Sequence, residues 1–171
     1  NSLDEYIIRD LLLQGAALDA FGVGERLITS KSEPVFGGVY KLAAVEDGEG
    51  GIIPKIKISE NASKITNPHF KRVYRLYEND SGKAIADLIC VHDEVIDETQ
   101  PLEIFDPDAI WKRKTLTDFT ARELLVPVFQ QGKCVYESPS IEEIRAYCRT
   151  QIDLQWDEVK RFDNQIGRAH V

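Results

Sequence analysis

The sequence has no methionine, only three cysteines and two tryptophans, and no excess of positive charge. Each shortage excludes something. Without methionine there is no translation start within it, so the chain is expected to be a fragment of a longer polypeptide. Cys90, Cys134 and Cys148 are odd in number and contain no C-x-x-C pair. That leaves neither a disulfide framework nor a zinc site, and points to reduced thiols in the cytoplasm. No apolar run approaches the ~18 residues of a membrane-spanning helix, and no signal peptide is read at the start. Lys and Arg total 21 against 29 Asp and Glu, a formal net charge of −8. A nucleic-acid backbone is bound by a Lys/Arg-rich face, so nucleic acid is not expected as the main partner. A small phosphorylated substrate needs only a local positive pocket and stays open.

The 171 residues suit about one domain of ~150. With 43% apolar and 29% charged residues the composition is that of a globular protein. The stretch Leu3–Gln14 places Ile7, Ile8, Leu11 and Leu12 near the helical period, with Asp4 and Glu5 in the first turn and Gly15 as the C-cap. Leu18–Val23 reads as a short strand entering Gly22-Val23-Gly24. Further strands are read at Val39–Val45, Lys55–Ile58, Val73–Tyr77, Ala84–Val91 and, as a short edge strand, Pro101–Phe105. Asp47–Gly51 and Asn79–Gly82 are turns, the second a hairpin signal. Thr117–Leu125 reads as a helix ended by Pro127, and Gln130–Lys133 as a turn. Ser140 with Glu143 three residues on is a capping box for a last helix running towards Val159. The final six residues, 166–171, match one reading frame of a common short-read sequencing adapter and are expected to be an assembly artefact.

Chemistry-bearing candidates are few. Phe21-Gly22-Val23-Gly24-Glu25-Arg26-Leu27 brings two glycines to the end of a strand, where backbone N–H groups can approach an anion closely. Pattern alone leaves two readings open, a phosphate site or a turn. Lys55, Lys57, Ser59, Lys64, Thr66, Lys71 and Arg72 form a basic stretch, either a solvated face or a patch that draws phosphates in. His69 and His92 stand alone, without a partner that would make either a base. No Asp/Glu/His spacing resembles a metal site. Trp111 beside Lys112, Arg113 and Lys114 reads as a packed Trp next to a solvated basic run.

Taken in order, Leu3-Asp4-Glu5, Gln14-Gly15-Ala16, Phe21-Gly22-Val23-Gly24, Leu27-Ile28-Thr29, Gly37-Gly38-Val39-Tyr40-Lys41-Leu42, Pro54-Lys55-Ile56-Lys57-Ile58-Ser59 and Lys64-Ile65-Thr66-Asn67-Pro68 resemble nicotinate phosphoribosyltransferases. The resemblance runs over residues 1 to 164 and is specific in combination. It implies a composite α/β fold: the C-terminal part of a type II phosphoribosyltransferase irregular α/β barrel, plus a mixed, mainly antiparallel sheet and C-terminal helices. Residues 1–36 are then the end of the barrel with its phosphate-binding Gly loop, 37–115 an antiparallel β-rich region, and 116–165 the helices. The reaction implied makes nicotinate mononucleotide from nicotinate and phosphoribosyl diphosphate, driven by ATP hydrolysis with Mg2+, in NAD biosynthesis.

By the same resemblance Gly22, Val23, Gly24 and Glu25 contact the sugar phosphate, and Asn1 and Ser2 touch the ribose or phosphate. Two residues depart from the family pattern. Glu25 replaces a frequent Thr, and is expected to turn its carboxylate away while Arg26 offsets its charge. His69 replaces a frequent Gly, so that turn is expected to differ. The family's phosphorylated histidine and its diphosphate-clamping arginines lie upstream. No catalytic residue, metal ligand or ATP site is therefore expected here, and the isolated chain is expected to be inactive and to expose apolar surface. The parent is expected to be cytoplasmic and, as is common in the family, a homodimer. The alternative is a non-enzymatic α+β binding or assembly module; an enzyme for nicotinamide or quinolinate fits the Gly-Gly-Val-Tyr-Lys-Leu stretch less well.

Overall fold

The computed structural model describes residues 2–35, 37–61 and 64–166. The expectations for Asn1 and for 167–171 lie outside the described residues. The chain divides into two compact units, Asn1–Lys41 and Leu42–Val171.

In the first unit, helix α1 spans Glu5–Leu13. Asp4 is its N-cap rather than part of its first turn, and accepts a hydrogen bond from the Ile7 amide at 2.9 Å. At the other end Gly15 takes φ +82°, and the Gly15 and Ala16 amides donate to the carbonyls of Leu12 and Leu11. This is a complete Schellman stop, which an L-residue with a Cβ adopts only under strain. A second, one-turn helix α2 covers Glu25–Ile28. The strand expected over Leu18–Val23 is irregular backbone instead. An extended segment becomes a strand by pairing its N–H and C=O groups, and no described strand lies beside this one.

Among the described residues the second unit carries nine short strands: β1 Ala44–Glu46, β2 Ile52–Pro54, β3 Lys71–Glu78, β4 Ala84–Val91, β5 Leu102–Asp106, β6 Ala109–Leu116, β7 Phe119–Glu123, β8 Phe129–Gln130 and β9 Lys133–Cys134. All pairings are antiparallel. The strands group as β1-β2, β4-β3-β7, β5-β6 and β8-β9.

Two hairpins show local chemistry choosing the turn. Asp47 Oδ1 accepts from both the Glu49 and Gly51 amides at 2.9 Å, which closes the loop between β1 and β2 and holds the carboxyl below its usual pKa range. The strands therefore flank that loop directly, and the expected strands over Val39–Val45 and Lys55–Ile58 shrink to Ala44–Glu46 and shift to Ile52–Pro54. Between β8 and β9, Gln131 at φ +49° and Gly132 at φ +75° make the two-residue loop whose twist matches its strands.

The core is small. Leu76, Leu116 and Phe119 are buried, with Tyr74, Ile85, Ala86, Leu88, Ile96, Leu102, Ile104 and Ala121 packed around them. These residues join the inner face of β4-β3-β7 to the β5-β6 hairpin. A bulge between Leu76↔Ala86 and Tyr77↔Ala84 leaves Ile85 without an opposite residue, which brings it and Ala86 into the same cluster. On the outer face Arg75 and Asp87 stand directly opposite each other and form a bidentate ion pair at 2.8 and 2.9 Å.

The helix expected over Thr117–Leu125 is strand β7, paired with β3 from Tyr74↔Glu123 to Glu78↔Phe119. The residues allow a helix, but strand pairing buries Phe119 and packs Ala121 against the core, and burial decides. The expected C-terminal helices thus reduce, among the described residues, to one: α3, Ile141–Asp153. Its capping box forms in full, with the Ser140 amide donating to Glu143 Oε2 at 2.7 Å and Ser140 Oγ accepting from the Glu143 amide at 3.3 Å. The Ser140 amide and, at 2.8 Å, the Ser140 hydroxyl both donate to the Glu143 carboxyl and hold it below its usual range. The helix stops at Leu154, short of Val159. It has no basic residue in its last turn; Lys83, 70 positions away, supplies one by donating to the Asp153 carbonyl. The Ala84 amide adds a bond to the Leu154 carbonyl at 2.9 Å. Among the described residues no helix is long and apolar enough to cross a membrane.

Candidate functional site

In the first unit, irregular backbone from Ala16 to Gly24 leads into α2. Gly24 is the N-cap of α2, and no side chain caps that turn. A cavity of about 300 Å3 opens here, lined by Ser2, Leu3, Gly22, Gly24, Glu25 and Arg26. Four of the six residues expected at the phosphate site, Ser2, Gly22, Gly24 and Glu25, are therefore brought together. Val23 is not among the lining residues.

A Cβ built at Gly22 or Gly24 meets no heavy atom within 4 Å, and neither residue is at positive φ. The surrounding chain does not fill the space beside these glycines, which leaves the loop backbone open to a ligand.

The charges around the cavity are sorted into pairs. Glu25 Oε2 accepts from Lys31 Nζ at 3.1 Å, and Lys31 is not a lining residue. Arg26 does not offset Glu25 as expected. Its Nη1 pairs with Asp4 Oδ2, while the other Asp4 oxygen caps α1. Asp4 thus both starts α1 and holds the arginine that lines the cavity. Its position just before an apolar helical pattern was the available N-cap signal; the pairing with Arg26 spans 22 positions and leaves no local trace.

The other candidates resolve into structural roles. Lys71 Nζ donates to the carbonyls of Asn67, Pro68 and His69 at 2.6, 2.9 and 3.0 Å, closing that loop. Arg72 lies 3.7 Å from Glu123. Two cations of the basic stretch are thus already engaged. His69 and His92 stack with ring centroids 5.9 Å apart and lie in a different unit from the Gly loop. Trp111 is 77% exposed, not packed as expected, because it falls where the β5-β6 register shifts between Phe105↔Arg113 and Asp106↔Ala109. Among the described residues no group of three His, Cys, Asp or Glu side chains comes together as a metal site.

His69 has a further property: φ is +84°, the left-handed region that favours glycine. The residue is held there by its amide bond to the Ala43 carbonyl at 2.8 Å and by Lys71 on its own carbonyl. Replacing His69 by Gly is expected to stabilise the chain by about 1 kcal/mol, less the lost ring stacking on His92. In a thermal melt that is a rise of about 2–4 °C. A fall in Tm shows that stacking outweighs the strain.

Residues 70–165 match the family model described as nicotinate phosphoribosyltransferase C-terminal domain, more than half of the chain. The nicotinate phosphoribosyltransferase of Bacillus subtilis is 37% identical over 162 residues, covering 95% of this chain and 33% of that protein. That of Dictyostelium discoideum is 31% identical over 171 residues, 96% of this chain and 28% of its own. The human protein of the same name is 30% identical over 163 residues, 95% of this chain and 29% of its own. The crystal structure of human nicotinic acid phosphoribosyltransferase superposes on 98% of this chain with a TM-score of 0.67 at 21% identity, covering 28% of that chain. This chain thus spans about a third of the length of the relatives it matches.

Proposed function

From the premise that this chain belongs to the nicotinate phosphoribosyltransferase family, we propose that it is the C-terminal part of an enzyme that joins nicotinate to phosphoribosyl diphosphate. The products are nicotinate mononucleotide and diphosphate, with ATP hydrolysis driving turnover in NAD biosynthesis. Residues 1–36 belong to the end of an irregular α/β barrel, and residues 37–115 form the β-rich region that follows it in the chain. The parent is a cytoplasmic homodimer.

The observation that carries this reading is the cavity uniting Ser2, Gly22, Gly24 and Glu25. Its role is to hold the sugar phosphate. Glycines without Cβ atoms let the loop backbone close on the anion, and the N–H groups of Gly24 and Glu25 serve as donors. Glu25 suits this role despite its charge, because Lys31 pairs with the carboxylate. Such a loop works by positioning and by charge stabilisation, with no proton transferred by any residue of this chain. ATP and Mg2+ belong to the part of the parent outside this chain, where the metal offsets phosphate charge when bound.

The test is nicotinate mononucleotide formation by the full-length parent and by the isolated chain. Product is expected from the parent and none from the chain. A folded parent that makes no product overturns the activity. Product from the chain overturns the placing of the catalytic groups outside it.

A further inference from the structure

Resting on the phosphate reading above, we propose that Arg26 contacts the sugar phosphate through its guanidinium and that Asp4 positions it. Among the described residues, Arg26 is the only cation lining the Gly-loop cavity. Lys31, the nearest alternative in sequence, is paired with Glu25. A guanidinium carries five N–H donors in a planar fork, and among the described residues only Nη1 is shown engaged, by Asp4. The remaining donors suit two oxygens of one phosphate.

Asp4 is placed to fix that fork. Its side chain is 14% exposed, against 40% for Arg26, and both of its oxygens are used. Oδ1 accepts from the Ile7 amide at 2.9 Å, which anchors the carboxylate to the start of α1, and Oδ2 takes the guanidinium. The arginine is thereby ordered before ligand arrives, so binding does not have to immobilise a free side chain. The pair with Asp4 offsets part of the guanidinium's positive charge, and its other N–H donors are left for the phosphate. The competing possibility is that Arg26 and Asp4 only clip α1 to α2.

The experiment is steady-state kinetics of the full-length parent. Arg26→Ala is expected to raise KM for phosphoribosyl diphosphate about tenfold with kcat changed less than about twofold, the pattern of a lost binding contact. Arg26→Lys, which keeps the charge but not the fork, is expected to recover part of that loss. Asp4→Asn keeps a good N-cap and removes the ionic hold. It is expected to raise the same KM severalfold, and to add nothing once Arg26 is already Ala. A pure clip gives a lower Tm with KM unchanged in Arg26→Ala, and that result overturns the proposal. If Arg26→Ala does not fold, Arg26→Lys decides: an unchanged KM overturns the proposal and a severalfold rise supports it. A parallel Gly24→Asp variant separates the two readings. If it loses product while the Arg26 variants keep their KM, the Gly loop stands and only the arginine contact falls.

Discussion

Replacing Gly24 by Asp in the full-length parent is expected to cut nicotinate mononucleotide formation at least ~100-fold while leaving the protein folded. The two halves of that expectation rest on separate observations. A side chain at this position finds nothing within 4 Å in the chain, and Gly24 is not at positive φ, so the fold has room for it. The same side chain enters the cavity shared with Ser2, Gly22 and Arg26. Two like unit charges about 4 Å apart at an effective dielectric of about 20 repel by roughly 4 kcal/mol. Each 1.4 kcal/mol is about a factor of ten, so even half of that repulsion exceeds a tenfold effect, and a phosphate dianion doubles it. Product formation and a thermal melt on the same preparation read both halves. Full activity with an unchanged melt makes the loop a turn and removes the phosphate role from Gly22, Val23, Gly24 and Glu25 together.

Replacing Phe119 by Ala is expected to destabilise the chain by about 3–5 kcal/mol, the usual range for emptying a fully buried aromatic site. Phe119 is 1% exposed and packs with Leu76 and Leu116, the other two members of the buried cluster. Few other buried side chains are available to close the void. Whole domains are stable by only about 5–15 kcal/mol, so this one change is expected to take much of the margin. Urea denaturation followed by far-UV circular dichroism measures it, as a midpoint lowered by about 1–3 M at unchanged slope. Trp111→Ala is the matched control. Trp111 is the larger residue but is 77% exposed, and its loss is expected to move stability by no more than about 0.5 kcal/mol. Equal effects from the two substitutions show that Thr117–Leu125 is not a core strand.

That contrast marks where reading the sequence succeeded and where it failed. Both aromatic residues sit in stretches of mixed polarity with no strong period. Phe119 lies in a stretch whose residues allow a helix, and Trp111 beside its basic run suits a packed position. Which of them is buried depends on β3 lying alongside β7, and on the register shift in the β5-β6 hairpin. Neither is set within a few residues of the aromatic itself. The Gly loop was legible because two glycines at the end of an apolar run are a local signal, and because the order of motifs around it resembles one family. The partner that fixes Arg26 was not, because Asp4 lies 22 residues earlier.

What the sequence by itself determined are the features whose hydrogen bonds close within a few residues. These are the Ser140–Glu143 capping box, the stop at Gly15, the Asp47 loop, the hairpin turn at Asn79–Gly82 and the turn at Gln131-Gly132. In each, a side chain or a left-handed backbone position satisfies nearby amides regardless of what packs later. Only the tertiary structure decided that Phe119–Glu123 is a strand, that Lys83 completes the end of α3, and that Asp4 holds Arg26 beside the Gly loop. Those choices depend on burial and on charges brought together across tens of residues. Local preferences of a few tenths of a kcal/mol per residue do not oppose them.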